Sequence, residues 1–165
     1  MKDRPAAILV KDLMKTHVRS VHPEDDIDWA CRYLIESHLS NIPVVEQETG
    51  GRRLVGFLSE ADCMKPLASE AYFNQPGLRV KDIMRANPFV LHLDDDLYTV
   101  ARYFMEYRYR HIPCVDESGY LVGMVNRRDV LRQLMTMRDD FEAAQNSARE
   151  VRNLRELVNH RHLLL

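Results

Sequence analysis

The residues of this chain that could do chemistry are acceptors and cations rather than nucleophiles. Ser59-x-x-Asp62 and Asn126-x-x-Asp129 each set a carboxylate three residues after a good capping residue, so each pattern reads first as a helix start. Arg108, Arg110 and His111 form a short basic run, which equally fits a solvated helix end where carbonyl termini favour cations. No Ser or Cys stands in a glycine elbow with a base nearby, so a hydrolytic triad is not indicated. The histidines lack ligand spacing, and Cys31, Cys63 and Cys114 are odd in number with no Cys-x-x-Cys pattern. Neither a zinc site nor a disulfide framework is expected, and buried free thiols are.

The elements that must position these residues are written twice. Val10-Lys11-Asp12-Leu13-Met14 returns as Val80-Lys81-Asp82-Ile83-Met84, Ile42-Pro43-Val44-Val45 as Ile112-Pro113-Cys114-Val115, and Leu54-Val55-Gly56-Phe57 as Leu121-Val122-Gly123-Met124. Register slips once, at the longer turn Gln47-Glu48-Thr49-Gly50-Gly51. Self-similarity of this kind sets the architecture before any local reading. Within each copy a short extended segment (18–21, 89–93) precedes a helix. The helix carries Ile27, Ala30, Cys31, Leu34 and Ile35, answered by Leu97, Val100, Ala101, Phe104 and Met105 at the same spacing. Glu24-Asp25-Asp26 and Asp94-Asp95-Asp96 stand where these helices start and read as caps; a divalent cation would need ligands converging from several segments. Two strands follow (42–46 and 54–58; 112–116 and 120–125), joined by glycine-containing turns, and then a second helix from Ser59 or Asn126. The order in each copy is β-α-β-β-α.

A repeat of roughly 55 residues buries too little surface to be comfortable alone, so the two copies are expected to fold as one module. The organisation reads as a lead (1–9), a first repeat (10–67), a connecting segment with a turn near Asn74-Gln75-Pro76-Gly77 (68–79), a second repeat (80–135) and a helical extension (136–165). In that extension Val130, Leu134, Met137, Phe141, Ala144, Ala148 and Val151 alternate at four and three residues, which predicts one long helix packed on a partner helix or on the module's flank. A homodimer is the expected assembly. Net charge is only −2, without a basic block, so no nucleic acid is expected as partner. The N-terminal apolar run is too short for a signal peptide and no stretch is long enough to span a bilayer. A soluble cytoplasmic protein, with no membrane partner, is expected.

The three motifs, found twice in the same order across residues 10–135, resemble a tandem cystathionine β-synthase (CBS) domain pair. The resemblance implies an α/β fold of two pseudo-symmetric repeats packed sheet to sheet. It also implies a non-catalytic regulatory module, a Bateman module, that senses energy state by binding AMP, ADP, ATP or S-adenosylmethionine in a cleft between repeats. No cofactor is required, and a regulated protein partner is implied. By that resemblance Asp62 and Asp129, with Ser59 and Asn126, hold the ribose, and two hydrogen bonds from a vicinal diol to a carboxylate are of the strong, charge-assisted kind. Phosphate would fall to Arg108, Arg110 and His111, because the aspartate already occupies the helix start that might welcome an anion. Asn41, Ile42, Pro43, Ile112 and Pro113 would form the base slot. Asn126 departs from the hydroxyl of the motif, and the first copy has His38, Ser40 and Asn41 where the second is basic. The preferred site therefore pairs Ser59 and Asp62 with Arg110 and His111. The alternative is a dimeric interaction scaffold whose clefts are vestigial.

Overall fold

The computed structural model describes residues 7–68, 77–107 and 109–162, with side chains as far as residue 152. In chain order the elements are α1 (Val10–Leu13), α2 (Ile27–Glu36), β1 (Asn41–Glu48), β2 (Gly51–Ser59), α3 (Glu60–Leu67), α4 (Val80–Ile83), β3 (Arg85–Ala86), β4 (Leu91–His92), α5 (Leu97–Tyr107), β5 (His111–Val115), β6 (Leu121–Asn126) and α6 (Arg127–His162). Two units are distinguished, 1–127 with the first repeat and the second as far as β6, and 128–165 with the body of α6.

Each repeat is centred on the hairpin that its β-branched runs demand. β1 and β2 pair antiparallel with Ile42 opposite Leu58, and β5 and β6 with Ile112 opposite Val125, so the inward residues of each strand meet in one layer. Against the first hairpin lie Ile27, Ala30 and Leu34 of α2, all essentially buried with Ile42, Val44 and Leu58. Each fully buried aliphatic side chain contributes roughly 1.5–3 kcal/mol. Ile35 and Met105, expected on the apolar faces of their helices, are instead 68% and 77% exposed: the stripe that faces each sheet is narrower than the sequence pattern. α2 stops in a Schellman arrangement, with Leu39 N–H on the Leu34 carbonyl (2.9 Å), His38 N–H on Ile35 (3.1 Å) and His38 itself left-handed at φ 54°.

The acidic triplets are structural throughout. Asp25 and Asp95 accept from the backbone N–H of His22 (2.7 Å) and His92 (2.9 Å), while Asp26 and Asp96 accept from Trp29 and Thr99 at the starts of α2 and α5. Their first members reach the other repeat: Glu24 pairs with Lys81 at 2.7 Å and Asp94 with Lys11 at 3.6 Å.

The initial strands are shorter than expected, and a different exchange takes their place. Only Val21 bridges β1, and only Leu91–His92 pairs with β5, both parallel. The lead-in of each repeat crosses to the other. β3, which begins the second repeat, adds to β2 of the first sheet through Gly56 and Phe57, and Lys15 bridges Met124 of β6. Val80 of α4 is fully buried in the core of the first repeat. The backbone repeats the trade, with Val80 N–H on Asp25 O (3.0 Å) answered by Val10 N–H on Asp95 O (2.9 Å). Here the recurring glycines find their reason. A Cβ on Gly56 would collide with Met84, and one on Gly123 would sit 2.5 Å from Met14 Sδ, so each motif methionine lies on the motif glycine of the opposite repeat. The hairpins also meet, through Leu54 N–H on Gly119 O (3.2 Å) and Arg53 over the Tyr120 ring (4.8 Å).

α6 is the long helix that the sequence predicts. Within it Val130 is buried and Leu134 and Met137 are half-buried, whereas Phe141 and Val151 are 64% and 51% exposed and Ala144 and Ala148 are exposed as well, so the heptad seam lies open from Phe141 onward. Residues 69–76 of the connecting segment lie outside the described residues.

Candidate functional site

The strand-to-helix corner after β2 is built by Ser59. Its extended backbone (φ −122°, ψ 161°) makes it the N-cap of α3, and its Oγ accepts from Asp62 N–H at 3.3 Å. Asp62 answers through Oδ2, which accepts from Ser59 N–H at 3.1 Å and from the Ser59 hydroxyl at 2.5 Å. Oδ1 accepts from Arg85 Nε at 3.2 Å and Lys65 Nζ at 3.4 Å, leaving Asp62 only 2% exposed. Burial pushes its carboxyl pKa up. The Ser59 hydrogen bond, then the charge and hydrogen bond of Arg85, then Lys65 outweigh burial and hold it below the usual aspartate value.

Arg85 is the hinge of the site. It belongs to the second repeat by sequence, stands on the first sheet by pairing, bonds Asp62, and lines a shallow cleft open to solvent. Phe57, Pro88, Phe89, Tyr109, His111, Ile112 and Pro113 complete the lining. Phe89 is held by rings on three sides, edge-on to Tyr103 (4.9 Å between centroids), tilted on Tyr107 (5.0 Å) and stacked with Tyr109 (6.1 Å). Apolar walls with aromatic rings and two basic groups suit a flat heteroaromatic group bearing an anion.

The sequence expectations divide here. His111, Ile112 and Pro113 line the cleft, and Ser59 and Asp62 stand behind it through Arg85. Ile42, wholly buried in the first core, Asn41 and Pro43 are not among the residues that line this cleft. Asn41 stands opposite Ser59 in the sheet register, as His111 stands opposite Asn126. Arg110 is exposed outside the cleft lining, with its carbonyl accepting from Arg127 N–H at 3.0 Å, and Arg108 lies outside the described residues. Asp129, in the second unit, accepts from Arg132 Nη1 at 2.6 Å. Phe57, Arg85, Pro88, Phe89 and Tyr109 were not expected. Their signal was present in the mismatch between copies, since Pro88-Phe89 and Tyr109 stand where the first copy has Val18-Arg19 and Leu39.

Fold and cleft together define a tandem-repeat module in which each half completes the other. The chain belongs to the CBS domain family, whose model matches residues 10–69 and 80–136. It is 30% identical over 128 residues to an inosine-5'-monophosphate dehydrogenase of Korarchaeum cryptofilum, covering 77% of this chain but 23% of that enzyme. The chain thus spans about a quarter of the length of such enzyme relatives. CBSX2 of Arabidopsis thaliana, solved with AMP, superposes with a TM-score of 0.67 at 27% identity, covering 79% of this chain and 98% of that one. The CBS pair of protein MJ0100, solved with 5-methylthioadenosine and S-adenosylmethionine, gives 0.64 at 27% identity, with 79% and 98% covered. Among the described residues no helix is long and apolar enough to cross a membrane, and no cluster of His, Cys, Asp and Glu could hold a metal.

Proposed function

We propose that this chain is a non-catalytic, cytoplasmic regulatory module that binds an adenosine-containing ligand in the Phe57–Arg85–Phe89–Pro113 cleft. The observation that carries this reading is Arg85, one cation shared between the buried Asp62 carboxylate and an aromatic cleft lined from both repeats. The adenine enters among Phe57, Phe89 and Tyr109, and the backbone at Ile112 and Pro113 offers its edge. The ribose diol takes Asp62 Oδ1 from Arg85 and Lys65. Those two side chains are 57% and 74% exposed and can turn to solvent, and hydrogen bonds from the diol replace theirs in kind, both sets being charge-assisted. Freed from Asp62, Arg85 turns with His111 to the phosphate or, for an adenosyl sulfonium, stays on the carboxylate.

Such a ligand bridges the repeats and stabilises whichever arrangement it fits better, which is how binding becomes a signal to a partner protein. The AMP-bound and S-adenosylmethionine-bound relatives support the ligand class. The open heptad seam of α6 supports pairing with a second copy. Thermal unfolding with AMP, ADP, ATP and S-adenosylmethionine tests the reading. At least one should raise the melting temperature, with the rise reduced by Asp62→Asn.

The saturation of both Asp62 oxygens favours one second reading, a dimeric interaction scaffold whose ligand sites are vestigial. A melting temperature unmoved by all four compounds would decide for it.

A further inference from the structure

The one slip in register between the copies, the longer turn Gln47-Glu48-Thr49-Gly50-Gly51, has a use in the fold. It carries the tip of the β1–β2 hairpin onto the turn that joins β5 to β6 in the other repeat, where Arg53 bridges Tyr120. Arg53 Nε donates to Glu48 Oε1 at 2.7 Å, Nη2 to the Tyr120 hydroxyl at 3.4 Å and Nη1 to the Ser118 carbonyl at 2.9 Å. The Tyr120 hydroxyl donates in turn to Glu48 Oε2 at 3.1 Å, which closes the circuit. The guanidinium also lies over the Tyr120 ring, and that ring covers Gly50 so closely that a Cβ there would come within 2.5 Å of its hydroxyl. Asp116 Oδ1 fixes the turn that presents Tyr120, accepting from the backbone N–H of Ser118 and of Tyr120, both at 2.9 Å. Charge-assisted hydrogen bonds and a cation over a ring, joined in one circuit between planar groups, hold a single geometry.

The same strands reach the cleft at their other ends. β2 runs from Arg53 at the tips to Phe57 in the cleft, and β5 begins with His111, Ile112 and Pro113 in the cleft and ends at Val115, beside the turn. At the cleft the walls come from both repeats with solvent between them. The chain crosses from one wall to the other within residues 85–89, from Arg85 on the first sheet to Phe89 among the rings of the second repeat. Asn87, midway along that strap, is left-handed at φ 51°, a conformation that a residue other than glycine holds at some cost. We propose that the Glu48–Arg53–Tyr120 clasp is a fixed pivot about which the two sheets open and close at the cleft. Whatever fills the cleft then sets the angle between the repeats without parting their tips, and residues 85–89 take up the change in backbone angle. The pivot is a property of the module itself and does not require a particular ligand.

Double electron–electron resonance on the full-length chain without nucleotide tests the proposal. One spin-labelled form carries Thr49→Cys with Glu117→Cys at the tips, and the other Glu60→Cys with Arg110→Cys across the cleft, all at exposed positions. Both carry Cys31→Ser, while Cys63 and Cys114 are buried from the label. The expected result is a single narrow distance at the tips and a broad distribution across the cleft, with the tip distance losing its narrowness on Arg53→Ala. A tip distribution as broad as that of the cleft, narrow distances at both places, or a tip distance untouched by Arg53→Ala would overturn it. The comparison of tips with cleft in the chain that keeps Arg53 is decisive even where Arg53→Ala fails to fold. It is read without nucleotide, so it fails or succeeds independently of ligand binding in the cleft.

Discussion

The two repeats share a frame and differ in what they present on it. Their capping aspartates, crossed ion pairs and methionine-on-glycine contacts correspond position by position. The residues that line the cleft do not. The first sheet receives a true strand, β3, and with it Arg85, whereas the second receives a single bridge from Lys15. Phe89 and Tyr109 of the second repeat stand where the first has Arg19 and Leu39, and Asn126 where it has Ser59. Symmetry here builds the scaffold, and departures from symmetry build the site.

That contrast can be broken from its strongest point downward. Gly123→Ala should cost about 3 kcal/mol, because its Cβ would meet Met14 at Cγ (2.9 Å) and at the less mobile Cβ (3.0 Å), and the melting temperature should fall on the order of 10 °C. Gly56→Ala should cost less, about 1–2 kcal/mol, since the atom it overlaps is Met84 Sδ, with Cγ (3.1 Å) and Cε (3.2 Å) beyond it, the far end of a side chain that can swing aside. Equal losses in calorimetry would mean that the two locks do not differ. Next, Arg85→Ala should weaken AMP binding about tenfold, or ~1.4 kcal/mol, by titration calorimetry, while Lys15→Ala changes it less than about twofold.

Ser59→Ala should cost about 1 kcal/mol of stability through loss of the cap. Asp62 adds a pH signature of definite sign. Its pKa is lowered in the folded state, so its stabilisation is full above the unfolded aspartate value of 3.8 and is lost as pH falls through the lower, folded value. Urea midpoints measured down that range should fall more steeply for the wild type than for Asp62→Asn. Least of all, Lys81→Ala should leave the urea midpoint unchanged within error, its pair with Glu24 being exposed.

The duplicated motifs made the hairpins, the helices and the capping corners legible, because each depends on neighbours in sequence. What stayed hidden depends on distant ones. Val80-Lys81-Asp82-Ile83-Met84 announces itself as a repeat, yet nothing local says that Met84 lies on Gly56 or that Arg85 extends the opposite sheet. For the same reason Asp62 was readable as both cap and ligand contact, while the cation that covers it, twenty-three residues away, was not. Ile42 and Ile112 were readable as both slot and core, because an apolar residue before a proline fits either, and both are buried.

The crossing of the lead-in segments carries a consequence for how this molecule comes apart. Since each half holds a piece of its neighbour, neither can melt while the other persists, and unfolding of the two repeats should be one concerted event. By the same logic, fragments made by severing the backbone between Leu67 and Leu78 would each be left incomplete, and mixing them should restore the missing pieces in trans.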